Sequence, residues 1–149
     1  WTNIRVKGGA YGCMSGFKRN GDSYLVSYRD PNLRKTLETF RGAAGYLRSF
    51  EADEEEMTKY IIGTISEMDV PLTPSGKGGA SLNAYMCRVS REQLQRERDQ
   101  VLSATAKDIR ALADYIEAIV SQENICVVGS ENAIDAEAGL FGQVEALIK

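Results

Sequence analysis

Histidine is absent from the 149 residues. The chain therefore lacks the commonest metal ligand and the one side chain that titrates near neutrality without help. Ser-His-Asp, Cys-His and His-based zinc chemistry are excluded within this polypeptide alone, and any hydrolytic role must borrow groups from elsewhere. Cysteine is nearly as scarce. Cys13, Cys87 and Cys126 are odd in number, widely spaced and without a Cys-x-x-Cys pair, so neither a disulfide framework nor a structural zinc site is indicated. A reducing compartment, read here as the cytoplasm, is expected. Long apolar runs are missing too: none approaches the ~18 residues that would span a bilayer, so no membrane partner is expected. Excess positive charge is also lacking. A net charge of −3 leaves no clustered Lys and Arg for a phosphate backbone, which argues against nucleic acid as a partner.

What is present, 43% apolar and 26% charged residues with 3 prolines, suits an ordinary folded domain with a core of its own. Residues 1 to 7 read as the last turns of a helix, closed by Gly8 and Gly9 where a left-handed cap is easiest. The runs "YGCMSGFKR" and "DSYLVSYRD" flank Asn20-Gly21, the strongest short hairpin signal, for which a type I′ turn is expected. Tyr24, Val26 and Tyr28 alternate with Ser23, Leu25 and Ser27, giving an antiparallel pair with one apolar face.

Asp30 and Pro31 read as the cap and first position of a helix running to about Phe50, its stripe formed by Leu33, Leu37, Phe40, Ala44 and Leu47. Asp53 and Glu56 form a capping box for a second helix with the stripe Met57, Ile61, Ile65 and Met68. The run "EADEEE" is thus a helix N-terminus and solvated face rather than a docking surface. Val70 to Gly79 has loop composition; it lacks the Gly-x4-Gly-Lys-Ser/Thr spacing of a phosphate loop and reads as a surface connector. A short helix near 80 to 87 is expected next. Ser90 and Gln93 form another capping box, and helical spacing then continues to about Ser121 with a break at "SATAKD", where Thr105 and Asp108 recap the chain. "NICVVGS" reads as a short strand and 133 to 149 as a closing helix. The order indicates an α+β, two-layer α/β domain, an antiparallel sheet covered on one face by helices.

The words "IRVKGGAYG", "SYRDPN", "YIIGTIS", "PLTPSGKG" and "ATAKDIRALAD" occur in this order along most of the chain. Together they resemble the pitrilysin/insulinase-type zinc metallopeptidases, in their presequence-protease subgroup. That resemblance implies four homologous domains closing as a clamshell around an unfolded peptide. It further implies a zinc ion held by an inverted His-x-x-Glu-His motif in the first domain. No such motif is present here, and the chain looks like the last domain, residues 1 to 149 forming a single, partial C-terminal domain without the start of its first helix. The resemblance implies an Arg and a Tyr that reach across the chamber to the substrate, matched here by Arg5 and Tyr11, with Gly8 and Gly9 supporting the loop between them. A phenol O–H and a guanidinium are suited to the oxyanion that forms when a peptide carbonyl is attacked.

The implied partners are an unfolded peptide substrate and the N-terminal zinc-binding half of the same polypeptide. The fragment itself is expected to bind no metal and cleave nothing. A non-catalytic interaction or subunit module of the same fold is the alternative. An autonomous hydrolase built on Glu54, Glu55 and Glu56 is disfavoured, because adjacent residues on a helix point in different directions. Lys7 reads as a helix-end charge, Cys13 as a small core residue, and Arg29 as the partner of a nearby carboxylate.

Overall fold

A computed structural model describes residues 1–147. The chain divides into two compact units, residues 1–48 together with those from 112 on, and residues 49–111. The α+β class with an antiparallel sheet holds. Among the described residues no helix is long and apolar enough to cross a membrane.

The first unit opens with a π-helical turn, Thr2–Val6, in place of the expected end of an α-helix. Strands β1 (Gly12–Phe17) and β2 (Ser23–Tyr28) pair antiparallel, with Gly12 opposite Tyr28 and Phe17 opposite Ser23. Only Gly21 of the turn has positive φ, at 93°. Lys18 N–H donates to the Asp22 carbonyl (2.9 Å) and Gly21 N–H to the Lys18 carbonyl (3.0 Å), which makes a three-residue loop closed by a left-handed glycine, not a type I′ turn. Asn20 Oδ1 accepts from Asp22 N–H at 3.1 Å, a local bond that holds Asn20 in the turn.

The register puts Met14, Tyr24, Val26 and Tyr28 on one face, and that apolar face is exposed, whereas Cys13, Ser23, Leu25 and Ser27 are half-buried. Period-2 alternation tells which residues share a face, not which face is covered.

Helices α1 (Leu33–Arg41) and α2 (Ala43–Arg48) replace the single long helix, with a turn at Gly42 between them. The α1 N-cap is Asn32 rather than Asp30, and its side chain makes no capping bond. Helix α7 (Ala113–Val120) packs on α2, while Ile4, Ala10, Thr36, Ala44 and Ala113 are buried among the described residues of this unit. Exposed ion pairs join Arg34 to Glu137, Arg41 to Glu123 and Arg48 to both Asp114 and Glu117. Residues 124–130 form no strand. Ile125 and Val127 are half-buried and Cys126 and Val128 exposed, so the period-2 pattern is present without a neighbouring strand to receive its hydrogen bonds. The expected closing helix is limited to α8 (Glu131–Asp135) and a 3₁₀ turn, Ala138–Leu140; its last two residues, 148 and 149, lie outside the described residues.

In the second unit, α3 (Glu54–Met68) starts at the expected capping box, with Asp53 accepting from Glu56 N–H at 2.8 Å and Glu56 accepting from Asp53 N–H at 3.3 Å. Met57 is buried and Ile61 and Ile65 half-buried, but Met68 is exposed. Of the expected surface connector only residues 70–73 are non-helical; from Pro74 on it is the start of α4 (Pro74–Met86). Thr73 caps it, accepting from Gly76 N–H at 3.2 Å, and Pro74 occupies a first-turn position that needs no donor. Helix α5 (Arg91–Leu102) opens at the Ser90/Gln93 box and packs on α3. The chain then breaks and recaps at Thr105, whose N–H and hydroxyl both reach Asp108 Oδ2 (2.8 and 2.6 Å), before α6 (Ala106–Ala111).

Candidate functional site

Arg5 and Tyr11 are brought together by the way the first eleven residues close on themselves. In the π-helical turn, Lys7 N–H donates to the Thr2 carbonyl at 2.9 Å and Val6 N–H to the Trp1 carbonyl at 3.3 Å. Gly9, with φ +79°, then reverses the chain, so its N–H returns to the Arg5 carbonyl (3.0 Å) and that of Ala10 to the Ile4 carbonyl (3.2 Å). Ile4 and Ala10, each 4% exposed, anchor the two ends of the reversal. Gly8 is required for a different reason. A Cβ there would lie 2.4 Å from the Ile4 carbonyl oxygen, a contact that no side-chain movement relieves.

Across this reversal Arg5 Nε donates to the Tyr11 carbonyl at 3.0 Å, and the guanidinium carbon lies 4.4 Å from the centroid of the Trp1 ring. That contact holds the guanidinium over the ring, and its two terminal nitrogens have no partner among the described residues. The Tyr11 ring is 68% exposed and meets Tyr28 edge to face, centroids 5.9 Å apart at 86°. Tyr11 N–H is shared between the carbonyls of Tyr28 (3.1 Å) and Arg29 (3.3 Å), which ends the ladder of the hairpin. The expected carboxylate partner of Arg29 is not found among the described residues. Its guanidinium lies over the rings of Tyr11 (5.8 Å) and Tyr28 (5.4 Å), because a left-handed backbone, φ +48°, turns the side chain back onto the sheet.

Sequence reading therefore singled out Arg5, Tyr11, Gly8 and Gly9, which the structure does bring together, and missed Trp1 and Tyr28 as the rings that hold them. The four-residue spacing of Trp1 and Arg5 was the available signal for the first. Tyr28 was legible only from the register opposite Gly12. Lys7 is exposed and Cys13 half-buried. Depressions lined by Glu51, Asp53, Glu56 and Arg110, and by the polar face of α5, contain none of these residues. Among the described residues no three Cys, Asp or Glu lie together as a metal site.

A family model described as the PreP C-terminal domain matches residues 1–131. Protein HypA of Clostridium perfringens is 44% identical over 149 residues, all of this chain and 15% of that protein. Presequence protease 1, chloroplastic/mitochondrial, of Arabidopsis thaliana is 40% identical over 137 residues, 91% of this chain and 13% of that protein. The mitochondrial presequence protease of Xenopus tropicalis is 33% identical over 130 residues, 87% and 12% respectively. The chain thus spans 12% to 15% of the length of these relatives. The organelle names overturn the cytoplasmic expectation, since unpaired cysteines report on redox conditions and not on which reducing compartment supplies them. With a match over most of its length and relatives named as proteases, the chain belongs to the PreP C-terminal domain family of the presequence proteases.

Proposed function

We propose that this chain serves as the C-terminal, non-zinc-binding domain of a zinc metallopeptidase that degrades oligopeptides, and that Arg5 and Tyr11 contact the peptide and stabilise its transition state. The metal and the general base are assigned to another domain of the same polypeptide. The observation that carries this reading is the pairing of Arg5 with Tyr11. The Nε bond to the Tyr11 carbonyl spends one donor on positioning and keeps the terminal nitrogens available, while the side chain of Tyr11 itself is open to solvent. Donors held in place before reaction stabilise a developing oxyanion without reorganisation. The exposed apolar sheet face and the small share of each relative that the chain covers support its role as part of a larger assembly of domains.

The test uses the whole protein. Tyr11→Phe and Arg5→Ala should each lower turnover of a short fluorogenic peptide by about 100-fold or more, with zinc content unchanged, since the lost groups act on the substrate. Turnover near wild type in both variants would return Arg5 to a helix-end cation and Tyr11 to a strand aromatic.

A further inference from the structure

We infer that Arg29 is a third peptide-contacting residue, whose guanidinium receives a carboxylate of the bound substrate beside Tyr11. The inference rests on the proposed role of Arg5 and Tyr11 and adds to it a residue and a ligand chemistry.

Arg29, like Arg5, Arg88, Arg91 and Arg96, makes no ion pair among the described residues; its left-handed backbone and the two tyrosine rings beneath it set it apart. Arg34, Arg41, Arg48 and Arg98 each bind a carboxylate. Arg29 is exposed and binds none among the described residues, although Asp30 is its neighbour in sequence. The oxygens of Asp30 are taken by Asn32 N–H (2.9 Å) and the Thr36 hydroxyl (2.6 Å).

Its backbone is equally distinctive. The other non-glycine residues with positive φ, Arg88 and Glu123, follow the C-termini of α4 and α7, where a left-handed residue commonly ends a helix. Arg29, at φ +48°, follows a strand, and helix termination does not account for it. A conformation that L-residues avoid is retained where the surroundings hold it, and such positions cluster at functional sites. Here the result is a guanidinium lying over two tyrosine rings, one of them Tyr11. The ring contacts use none of its N–H donors in a hydrogen bond among the described residues, so the fork that takes a carboxylate through two parallel bonds is not spent on this chain.

A peptide offers a carboxylate from an acidic side chain or from its C-terminus. Three fluorogenic peptides separate these sources when turned over by the whole protein: an amidated peptide without acidic residues, its twin with one Gln replaced by Glu, and its twin with a free C-terminus. Arg29→Gly is the principal variant, because glycine accepts φ +48° and the fold is not put at risk. Arg29→Lys keeps the charge and removes the fork.

The readout is kcat/KM for each anionic peptide relative to its neutral twin. In Arg29→Gly that ratio should fall about 10-fold or more for the peptide carrying the recognised carboxylate, through KM, and Arg29→Lys should recover only part of it. A merely structural role would lower all three peptides alike. Ratios equal to wild type in Arg29→Gly, while Arg5→Ala and Tyr11→Phe still depress turnover on every peptide, would overturn this inference and leave the proposed function standing. No effect of Arg5→Ala or Tyr11→Phe would remove both.

Discussion

Replacing Gly8 by alanine tests the geometry that joins Arg5 to Tyr11. The added methyl would lie 2.4 Å from the Ile4 carbonyl oxygen, 3.0 Å from that of Asn3 and 3.1 Å from the Ile4 carbonyl carbon. All three are far inside the ~3.5–4.0 Å at which non-bonded heavy atoms attract. Each is backbone, so relief requires the π-helical turn itself to move, and the Ile4 carbonyl is the group that accepts Ala10 N–H. Overpacking of this kind costs about 1–3 kcal/mol. Gly9 is a different case. Its φ of +79° penalises an L-residue by about 1–2 kcal/mol, but the nearest atom to an added Cβ, Pro31 Cγ at 3.8 Å, is in ordinary contact. Asparagine, which tolerates the left-handed region, should therefore restore part of the loss at Gly9 and none at Gly8. Native-state hydrogen exchange at the Ala10 and Tyr11 amides reads the opening of this reversal directly. A 2 kcal/mol cost in Gly8→Ala corresponds to roughly 30-fold faster exchange at those amides, from 1.36 kcal/mol per factor of ten. Unchanged exchange in Gly8→Ala, or full recovery by Gly8→Asn, would refute the steric account.

Gly16→Ala places a methyl 2.4 to 2.6 Å from the tip of the Tyr24 ring, a side chain that can swing, so this substitution should perturb Tyr24 fluorescence or chemical shifts more than stability. Asp53→Ala and Ser90→Ala should each cost about 1 kcal/mol, seen as faster exchange in the first turns of α3 and α5. The Asp69–Arg98 pair sets an acid limb. Arg98 donates to Asp69 and holds its carboxyl below the usual range, so the stabilisation is complete above the unfolded carboxylate pKa of about 4 and disappears as pH falls through the lower folded value. The stability difference between wild type and Asp69→Asn should therefore be small at pH 7, as both side chains are exposed, flat to pH 8, and absent near pH 2. A difference that persists in acid would contradict the assignment.

Features encoded within four residues were legible in the sequence. The Asp53/Glu56 and Ser90/Gln93 boxes and the Thr105/Asp108 restart all appear where the spacing puts them, since a cap needs only its own first turn. Other local signals failed because a competing signal or a missing partner decided the outcome. Gly76, Gly78 and Gly79 argued for a loop, yet Thr73 and Pro74 supply an N-terminus strong enough to start α4 ahead of them. Ile125 and Val127 have strand periodicity, but a strand exists only by pairing, which sequence periodicity does not report. The positions of the candidate site were legible, Arg5 and Tyr11 through the words they share with the presequence proteases and the double glycine through its chemistry. Arg29 was misread because Asp30, its obvious partner, is occupied by Asn32 and Thr36.

The pairing of two distant words, "GGAY" at 8–11 and "YRDPN" at 28–32, follows from the same contacts. Asn32 stands at the N-cap of α1 but does not cap it; its amide donates instead to the Gly8 carbonyl, in the middle of the reversal. Diverting the side chain forgoes about 1 kcal/mol of capping. Asp30 ties the same segment by accepting from Asn32 N–H and from buried Thr36 one turn into the helix. Tyr28 meets the Tyr11 ring, and Arg29 lies over both. The Asn32, Tyr28 and Arg29 contacts join the second word to the first, and the Asp30 bonds tie the second word to itself and to α1. A helix start optimised for its own stability would place its asparagine on the helix; this one places it on the glycine loop that lies between Arg5 and Tyr11 in the chain.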